Sequence, residues 1–304
     1  HITRLDLVNN RLIPNAMEPR AVIGHYSRAT DDHTLYVSNQ NPHVERLLLT
    51  AFVMGLPEHK VRVIAPDVGG GFGSKIYLYA EDVCLTWASK KLNRPIKWTA
   101  DRSEAFVSDA HGRDHSSHAE MAMDKDGKFL ALRVTTTANL GAYVSFLGVG
   151  PSTANVGGLA GVYTIPAICS RVTGVFTNTT PTDAYRGAGR PEATFAIERL
   201  MDTLAHELGM DPLALREKNW IKHEEFPFTT VAGMTYDSGN YEAATDRAKQ
   251  LLSYDELRRE QAARRASGDP VQLGIGVSTY TEMCGLAPSR VLGSLRYGAG
   301  GWES

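Results

Sequence analysis

Val61-Arg62-Val63-Ile64-Ala65-Pro66-Asp67-Val68-Gly69-Gly70-Gly71-Phe72-Gly73-Ser74-Lys75 runs a strand signal straight into a glycine-rich loop. Such loops bind anions through backbone N–H groups, because glycine removes the side-chain obstruction. Spacing tests two familiar versions. A dinucleotide fingerprint needs G-x-G-x-x-G. Counted from Gly69 the sixth position is Ser74, and counted from Gly71 it is Ile76, so the pattern fails twice. A P-loop ends in Gly-Lys-Ser/Thr, whereas this loop ends Gly73-Ser74-Lys75. Taken alone, the loop is equally well explained as a turn joining a strand to a helix.

A second loop changes the balance. Tyr185-Arg186-Gly187-Ala188-Gly189-Arg190 leads into a long helical pattern. It offers backbone donors, two guanidinium groups and a helix N-terminus together. Arg186 and Arg190 are four apart, a spacing that lets them clamp one anion from two sides. Two such loops in one chain point to a shared anionic cofactor. The bland alternative is a pair of solvated arginines on a turn.

Working outward, Ala21–Tyr26 and Thr34–Ser38 read as strands around the polar turn Asp31-Asp32. A helix follows, with Asn41 as N-cap and Pro42 in its first turn. Its apolar face is Val44, Leu47, Leu48, Ala51 and Phe52, and Gly55 and Pro57 end it. Tyr79–Lys91 reads as a helix and Ile96–Ala100 as a strand. Residues 116–143 form a long hairpin turning at Asp124–Gly127. Residues 147–163 are rich in Gly, Ala and Ser and read as a loop. Val172–Thr177 is a strand. The helix Glu192–Leu208 buries Ala193, Ile197, Leu200, Met201, Leu204 and Leu208. Asp211-Pro212 starts a short helix. Residues 241–267 read as two charged helices, with Ser253 and Glu256 at capping-box spacing. Ser267–Pro270 stops them, and Gln272–Tyr280 alternates like a last strand. The fold class expected is α+β: mixed sheets and hairpins with flanking helices.

Composition excludes several functions. The 304 residues carry a formal net charge of −2, which recruits no nucleic acid. No apolar run approaches the ~20 residues needed to span a bilayer, so no membrane insertion is expected. Cys84, Cys169 and Cys284 are scattered and form no CxxC pair. Iron–sulfur or zinc ligation by this chain is therefore not expected, and a reducing, cytoplasmic setting is. His111, Asp114, His115 and His118 fit known zinc spacings loosely, so no metal site is assigned to them. Arg258–Arg265 is balanced by Glu256 and Glu260 and reads as a solvated helix face.

Five ordered motifs carry a resemblance. The loop at 61–75 resembles the signature loop of molybdenum hydroxylases, the xanthine dehydrogenase/aldehyde oxidase family. Met17-Glu18-Pro19-Arg20, Ser38-Asn39-Gln40-Asn41-Pro42-His43, Asn139-Leu140-Gly141-Ala142-Tyr143 and Ala184–Glu192 are similar to further family motifs in the same order. The chain looks most like the large chains of aerobic carbon monoxide dehydrogenases of the second, copper-ligand-lacking type. The resemblance implies a molybdopterin–molybdenum cofactor, in its cytosine dinucleotide form. It implies that Gln40 hydrogen-bonds the apical oxo ligand. Gly70, Gly71, Phe72 and Gly73 would lie beside the metal, and Ala184, Tyr185, Arg186 and Gly187 would form the active-site loop. Gln40 and Arg186 are the catalytic candidates. No side chain need ligate the metal, because the pterin does.

The same resemblance implies a first cofactor-binding domain over residues 1–235. Residues 236–304 would be a helical segment and the start of a second such domain. The reaction implied is hydroxylation of an activated carbon of an aldehyde or N-heterocycle, with oxygen derived from water. Electrons would pass to a flavin-binding (FAD) medium subunit and a 2Fe-2S small subunit, in a dimer of heterotrimers. Departures narrow this. Copper-type relatives carry a copper-holding cysteine at the place of Gly187, so carbon monoxide oxidation becomes the alternative. Xanthine dehydrogenases have a glutamate at the place of Ile76 and a phenylalanine at the place of Ala188, so xanthine is disfavoured. The opening His1-Ile2-Thr3-Arg4 reads as an internal cut, and the family's general-base glutamate is expected outside this stretch. A truncated, non-catalytic module is the contrasting reading. Glu282 is either an active-site carboxylate or a solvated one.

Overall fold

The computed structural model describes residues 1–153 and 158–281. Elements in chain order are β1 (Ile2–Asn9), β2 (Ala21–Ser27), β3 (Asp32–Val37), α1 (Pro42–Leu47), β4 (Val61–Ile64), α2 (Ala80–Leu92), β5 (Ile96–Thr99), α3 (Arg102–Ser108), β6 (His115–Met123) and β7 (Phe129–Gly141). There follow α4 (Gly150–Thr153), β8 (Ile168–Phe176), α5 (Arg190–Glu207), α6 (Pro212–Glu217), β9 (Phe228–Thr229), β10 (Thr235–Tyr236), α7 (Tyr241–Leu252) and α8 (Tyr254–Ser267). The α+β expectation is met. One sheet runs β1-β6-β7-β8, with β8 parallel to β7 and the other pairs antiparallel. A second four-stranded sheet runs β4-β3-β2-β5, with only β3 and β4 parallel, and β9 and β10 form a two-stranded antiparallel sheet.

Each four-stranded sheet buries one face under a helix. Alternate residues Ala119, Met121 and Met123 of β6 point inward, as a strand's period of two dictates. With Leu132 and Val134 of β7 they pack against Ala193, Ile197, Leu200, Met201 and Leu204 of α5. Leu208, expected on that face, is more than one-third exposed. On the second sheet, α2 lies directly on β2. A Cβ at Gly24 would stand 2.5 Å from the Leu85 carbonyl oxygen, so only glycine permits this approach. Asp211 caps α6 through Leu213 N and Ala214 N. α6 is tied to α5 by the buried Arg216, whose Nε donates to Glu198 Oε2 at 2.9 Å.

Four local expectations need correction. Asn41 makes no side-chain cap; Asn39 Oδ1 instead accepts from Asn41 N. Beyond α1 the chain continues as a π-helix, Leu48–Met54. The buried positions there are Glu45, Leu49 and Thr50, while Phe52 is 77% exposed. The apolar-face reading failed because it placed no carboxyl inside. Ser253 separates α7 from α8 but sits in the left-handed region and makes no capping hydrogen bond. Gln272–Tyr280 pairs with no strand among the described residues; Ile275 and Val277 pack on the core without a ladder. Five elements were not anticipated: β1, α3, the short helix α4 inside the stretch read as a loop, and the two-residue strands β9 and β10. Cys284, Glu282 and residues 154–157 of the Gly/Ala/Ser loop lie outside the described residues.

Candidate functional site

The glycine loop bends through three left-handed positions, Gly70 (φ +96°), Phe72 (φ +54°) and Gly73 (φ +114°). This bend turns its backbone toward Gln40. Gly73 N donates to Gln40 Oε1 at 2.9 Å, and Lys75 N lies 3.4 Å from the same oxygen. Gln40 N donates to Lys75 O at 2.7 Å. A Cβ at Gly71 would stand 2.3 Å from Gln40 Oε1, so the close approach requires glycine there. These contacts fix the amide's orientation. A backbone N–H can only donate, so the atom it meets must be the amide oxygen. The Gln40 NH2 group is thereby left as a donor without a partner among the described residues, on an exposed side chain.

Behind the loop, the segment Met17-Glu18-Pro19 acts as a strap. Glu18 Oε2 accepts from Gly69 N at 2.6 Å and from the buried Lys75 Nζ at 2.8 Å. Burial opposes ionisation of Glu18, but the hydrogen bonds, led by Lys75, outweigh it and hold its carboxyl below the usual range. The Lys75 charge is therefore taken up inside by the Glu18 carboxylate.

The second loop is docked on the first. Arg186 N donates to Phe72 O at 2.9 Å. A Cβ at Gly73 would stand 2.0 Å from Ala184 O, so backbone meets backbone there. Tyr77 OH donates to the same Ala184 O at 3.3 Å. Arg113 clamps the loop from below, donating to Tyr185 O at 3.0 Å, Arg186 O at 2.8 Å and Glu192 Oε2 at 3.0 Å. Burial pushes the Glu192 carboxyl up, against the pull of Arg113. The expected double-arginine clamp is not formed. The Arg186 side chain is exposed, with its guanidinium 5.8 Å from the Phe72 ring centroid. Arg190 folds back, Nη1 donating to Gly187 O at 3.0 Å, and its buried Nε has no partner among the described residues.

All nine candidate residues lie on these two docked loops and the adjoining Gln40 segment. Among the described residues, the backbone N–H groups of Gly70, Gly71, Phe72 and Gly187 make no hydrogen bond. These N–H donors suit an anionic, oxygen-rich group such as a molybdopterin. Sequence reasoning missed the residues that hold the loops: Arg113, Tyr77, Asn39 and Glu45. Their partners lie far away in the sequence or are buried against expectation, so no local pattern marks them. The histidines do not converge. His111 contacts Phe106 O and Arg11, while His118 contacts Asp6. His115 and His118 are three apart on β6 and so face opposite sides. No group of three His, Cys, Asp or Glu able to hold a metal occurs among the described residues.

Two loops with free donors around an exposed amide define a cofactor-cradling class of site. The family model described as a molybdopterin cofactor-binding domain matches residues 1–220, and the chain belongs to that family. The carbon monoxide dehydrogenase large chain of Hydrogenophaga pseudoflava is 40% identical over 292 residues, which cover 95% of this chain and 36% of that one. Reconstituted CO dehydrogenase from Oligotropha carboxidovorans superposes with a TM-score of 0.87 at 36% identity, covering 95% of this chain and 37% of that one. Quinoline 2-oxidoreductase from Pseudomonas putida 86 does so with a TM-score of 0.87 at 33% identity, covering 97% and 37%. The chain thus spans little more than a third of the length of the relatives it matches.

Proposed function

We propose that this chain is part of the catalytic large subunit of a molybdenum hydroxylase that oxidises an activated C–H bond of an aldehyde or N-heterocycle. The observation that carries the reading is the Gln40 amide. Its oxygen is held by Gly73 N, which leaves its NH2 group to donate to an oxo ligand. When bound, a molybdopterin cytosine dinucleotide cofactor supplies the two-electron redox chemistry. The protein's part is to hold and orient. The unpartnered N–H groups of Gly70, Gly71, Phe72 and Gly187 receive the cofactor's oxygen atoms. Phe72 and Arg186, both exposed beside the junction, are the side chains that would face the substrate. Ala184 and Tyr185 carry the backbone that docks one loop on the other. FAD and 2Fe-2S groups on a medium and a small subunit take the electrons, in a cytoplasmic dimer of heterotrimers. Among the described residues no helix is long and apolar enough to cross a membrane. A boundary near residue 235 separates the cofactor domain from the charged helices α7 and α8.

The name of the Hydrogenophaga relative favours carbon monoxide as a second reading. Gly187 speaks against a copper thiolate at that position. Its φ is +95°, and a Cβ there would stand 2.6 Å from Cδ and Cγ of Pro191. The test is anaerobic titration of the full-length complex with aldehydes, N-heterocycles and carbon monoxide, followed by flavin absorbance. Reduction by an aldehyde or heterocycle, and none by carbon monoxide, is expected. Reduction by carbon monoxide alone would establish the second reading. Reduction by no substrate, in a complex lacking molybdenum, would favour a non-catalytic module.

A further inference from the structure

Gln40 is gripped from two sides, and one of the grips is a buried acid. On the open side, the glycine loop holds Gln40 N through Lys75 O at 2.7 Å and its side chain through Gly73 N at 2.9 Å. On the inner side, Asn39 is only 4% exposed. Its Oδ1 accepts from Asn41 N, and its Nδ2 donates to Glu45 Oε2. The Asn39 amide thus fixes the backbone on both sides of Gln40, and Glu45 fixes the amide.

Glu45 lies in the first turn of α1 and is 0% exposed. Among the described residues its second oxygen, Oε1, is buried without a partner and Glu45 joins no ion pair. The charged group that faces it is Asp82, in the first turn of α2. Asp82 Oδ2 accepts from Tyr79 N at 2.9 Å, and Tyr79 OH donates to Ser74 O at 2.6 Å. Arg20 and Glu81 face Asp82, with opposite effects on its charge. The acid pair therefore sits between two supports of the site: the Asn39–Gln40–Asn41 turn and the end of the glycine loop. Two buried carboxyls with no cation between them do not both ionise.

We propose that Glu45 is a positioning residue for Gln40, holding through Asn39 the backbone that aims the Gln40 amide at the cofactor. The proposal rests on the reading of Gln40 as the cofactor's hydrogen-bond donor. Glu45 serves in its neutral form. Burial, then the Asp82 carboxylate, push it well above the usual range, to about 9, against the pull of Asn39. Losing that proton puts two anions face to face, separates α1 from α2 and slackens the turn that carries Gln40.

The test uses the full-length subunit in its complex, as wild type, Glu45→Gln and Glu45→Leu. Glutamine keeps an oxygen for Asn39 and does not titrate; leucine removes the grip. Two readouts are taken between about pH 7 and about pH 10, bracketing the titration. One is hydrogen exchange in peptides covering residues 38–46 and 69–76, corrected for the intrinsic pH dependence. The other is the electron paramagnetic resonance signature of Mo(V). Wild type should lose at least about tenfold of its protection at Gln40 and Gly73 on the alkaline side. Glu45→Gln should keep it throughout, with an unchanged Mo(V) signature. Glu45→Leu should lack it at every pH and shift the signature. Alkaline loss that persists in Glu45→Gln, or wild-type protection in Glu45→Leu, would overturn the proposal. If Glu45→Leu does not fold, the comparison of wild type with Glu45→Gln decides alone. A complex without molybdenum would sink the hydroxylase reading, while exchange would still report on the link from Glu45 to Gln40.

Discussion

Gly73 and Gln40 are the residues on which the junction turns, and substitutions at each separate packing from chemistry. An alanine at Gly73 must adopt φ +114° and place its Cβ 2.0 Å from Ala184 O. Gly73→Ala should therefore cost about 2–4 kcal/mol in urea unfolding and part the two loops. Gly55 provides the contrast, with φ +64° but nothing within 4 Å of a Cβ. Gly55→Ala should cost only about 1 kcal/mol. For Gln40, the informative change is to glutamate. A carboxylate still accepts from Gly73 N but has no N–H to give. Gln40→Glu should keep the fold and lower kcat about a hundredfold, the usual loss for one aimed donor. Unchanged kcat in a molybdenum-loaded enzyme would contradict the role given to the amide.

The second loop, residues 184–189, owes its place to elements distant in sequence. Arg113, just before β6, supplies three hydrogen bonds, two to loop carbonyls and one to Glu192 of α5. Both partners of that ion pair are buried, with side-chain exposures of 7% and 9%. Arg113→Ala leaves the Glu192 carboxyl buried without its cation, and should cost about 3–5 kcal/mol in thermal or urea unfolding. Double substitution with Glu192→Gln should recover part of that loss. At this scale the sequence was legible where local chemistry decides. The hairpin of β6 and β7, α5 with its apolar stripe and the Asp211 cap all follow from period and punctuation. It was not legible where partners are remote. β1 carries mixed polarity and is a strand because β6 pairs with it in register from Ile2 to Asn9. Gln272–Tyr280 alternates yet finds no neighbouring edge. On α1 the buried position is an acid, which no hydrophobic pattern marks.

Across the whole molecule, stability should carry the imprint of Glu45. The folded state keeps its proton up to about pH 9, whereas the unfolded chain releases it near the ordinary carboxylate value. The native state binds the extra proton throughout that window, so stability falls as pH rises, by up to about 1.4 kcal/mol per unit. The burial-driven shift of Asp82 acts in the same direction over the lower part of the range. Glu45→Gln should flatten this dependence in urea unfolding at about pH 6 and about pH 9; parallel curves would contradict it. The two glycine loops of the candidate site were legible because backbone approach demands glycine, while Gln40 was marked only by the family resemblance. What holds those loops was not, since Arg113, Asn39 and Glu45 act through tertiary contacts. The central claim is that these loops cradle a molybdenum cofactor and no copper. Its most direct test is metal and nucleotide analysis of the full-length subunit, matured with its partner subunits in a host that makes the cofactor. Molybdenum with acid-released CMP, and no stoichiometric copper, is the predicted result. An assembled complex without molybdenum, or one with about one copper per molybdenum, would contradict it.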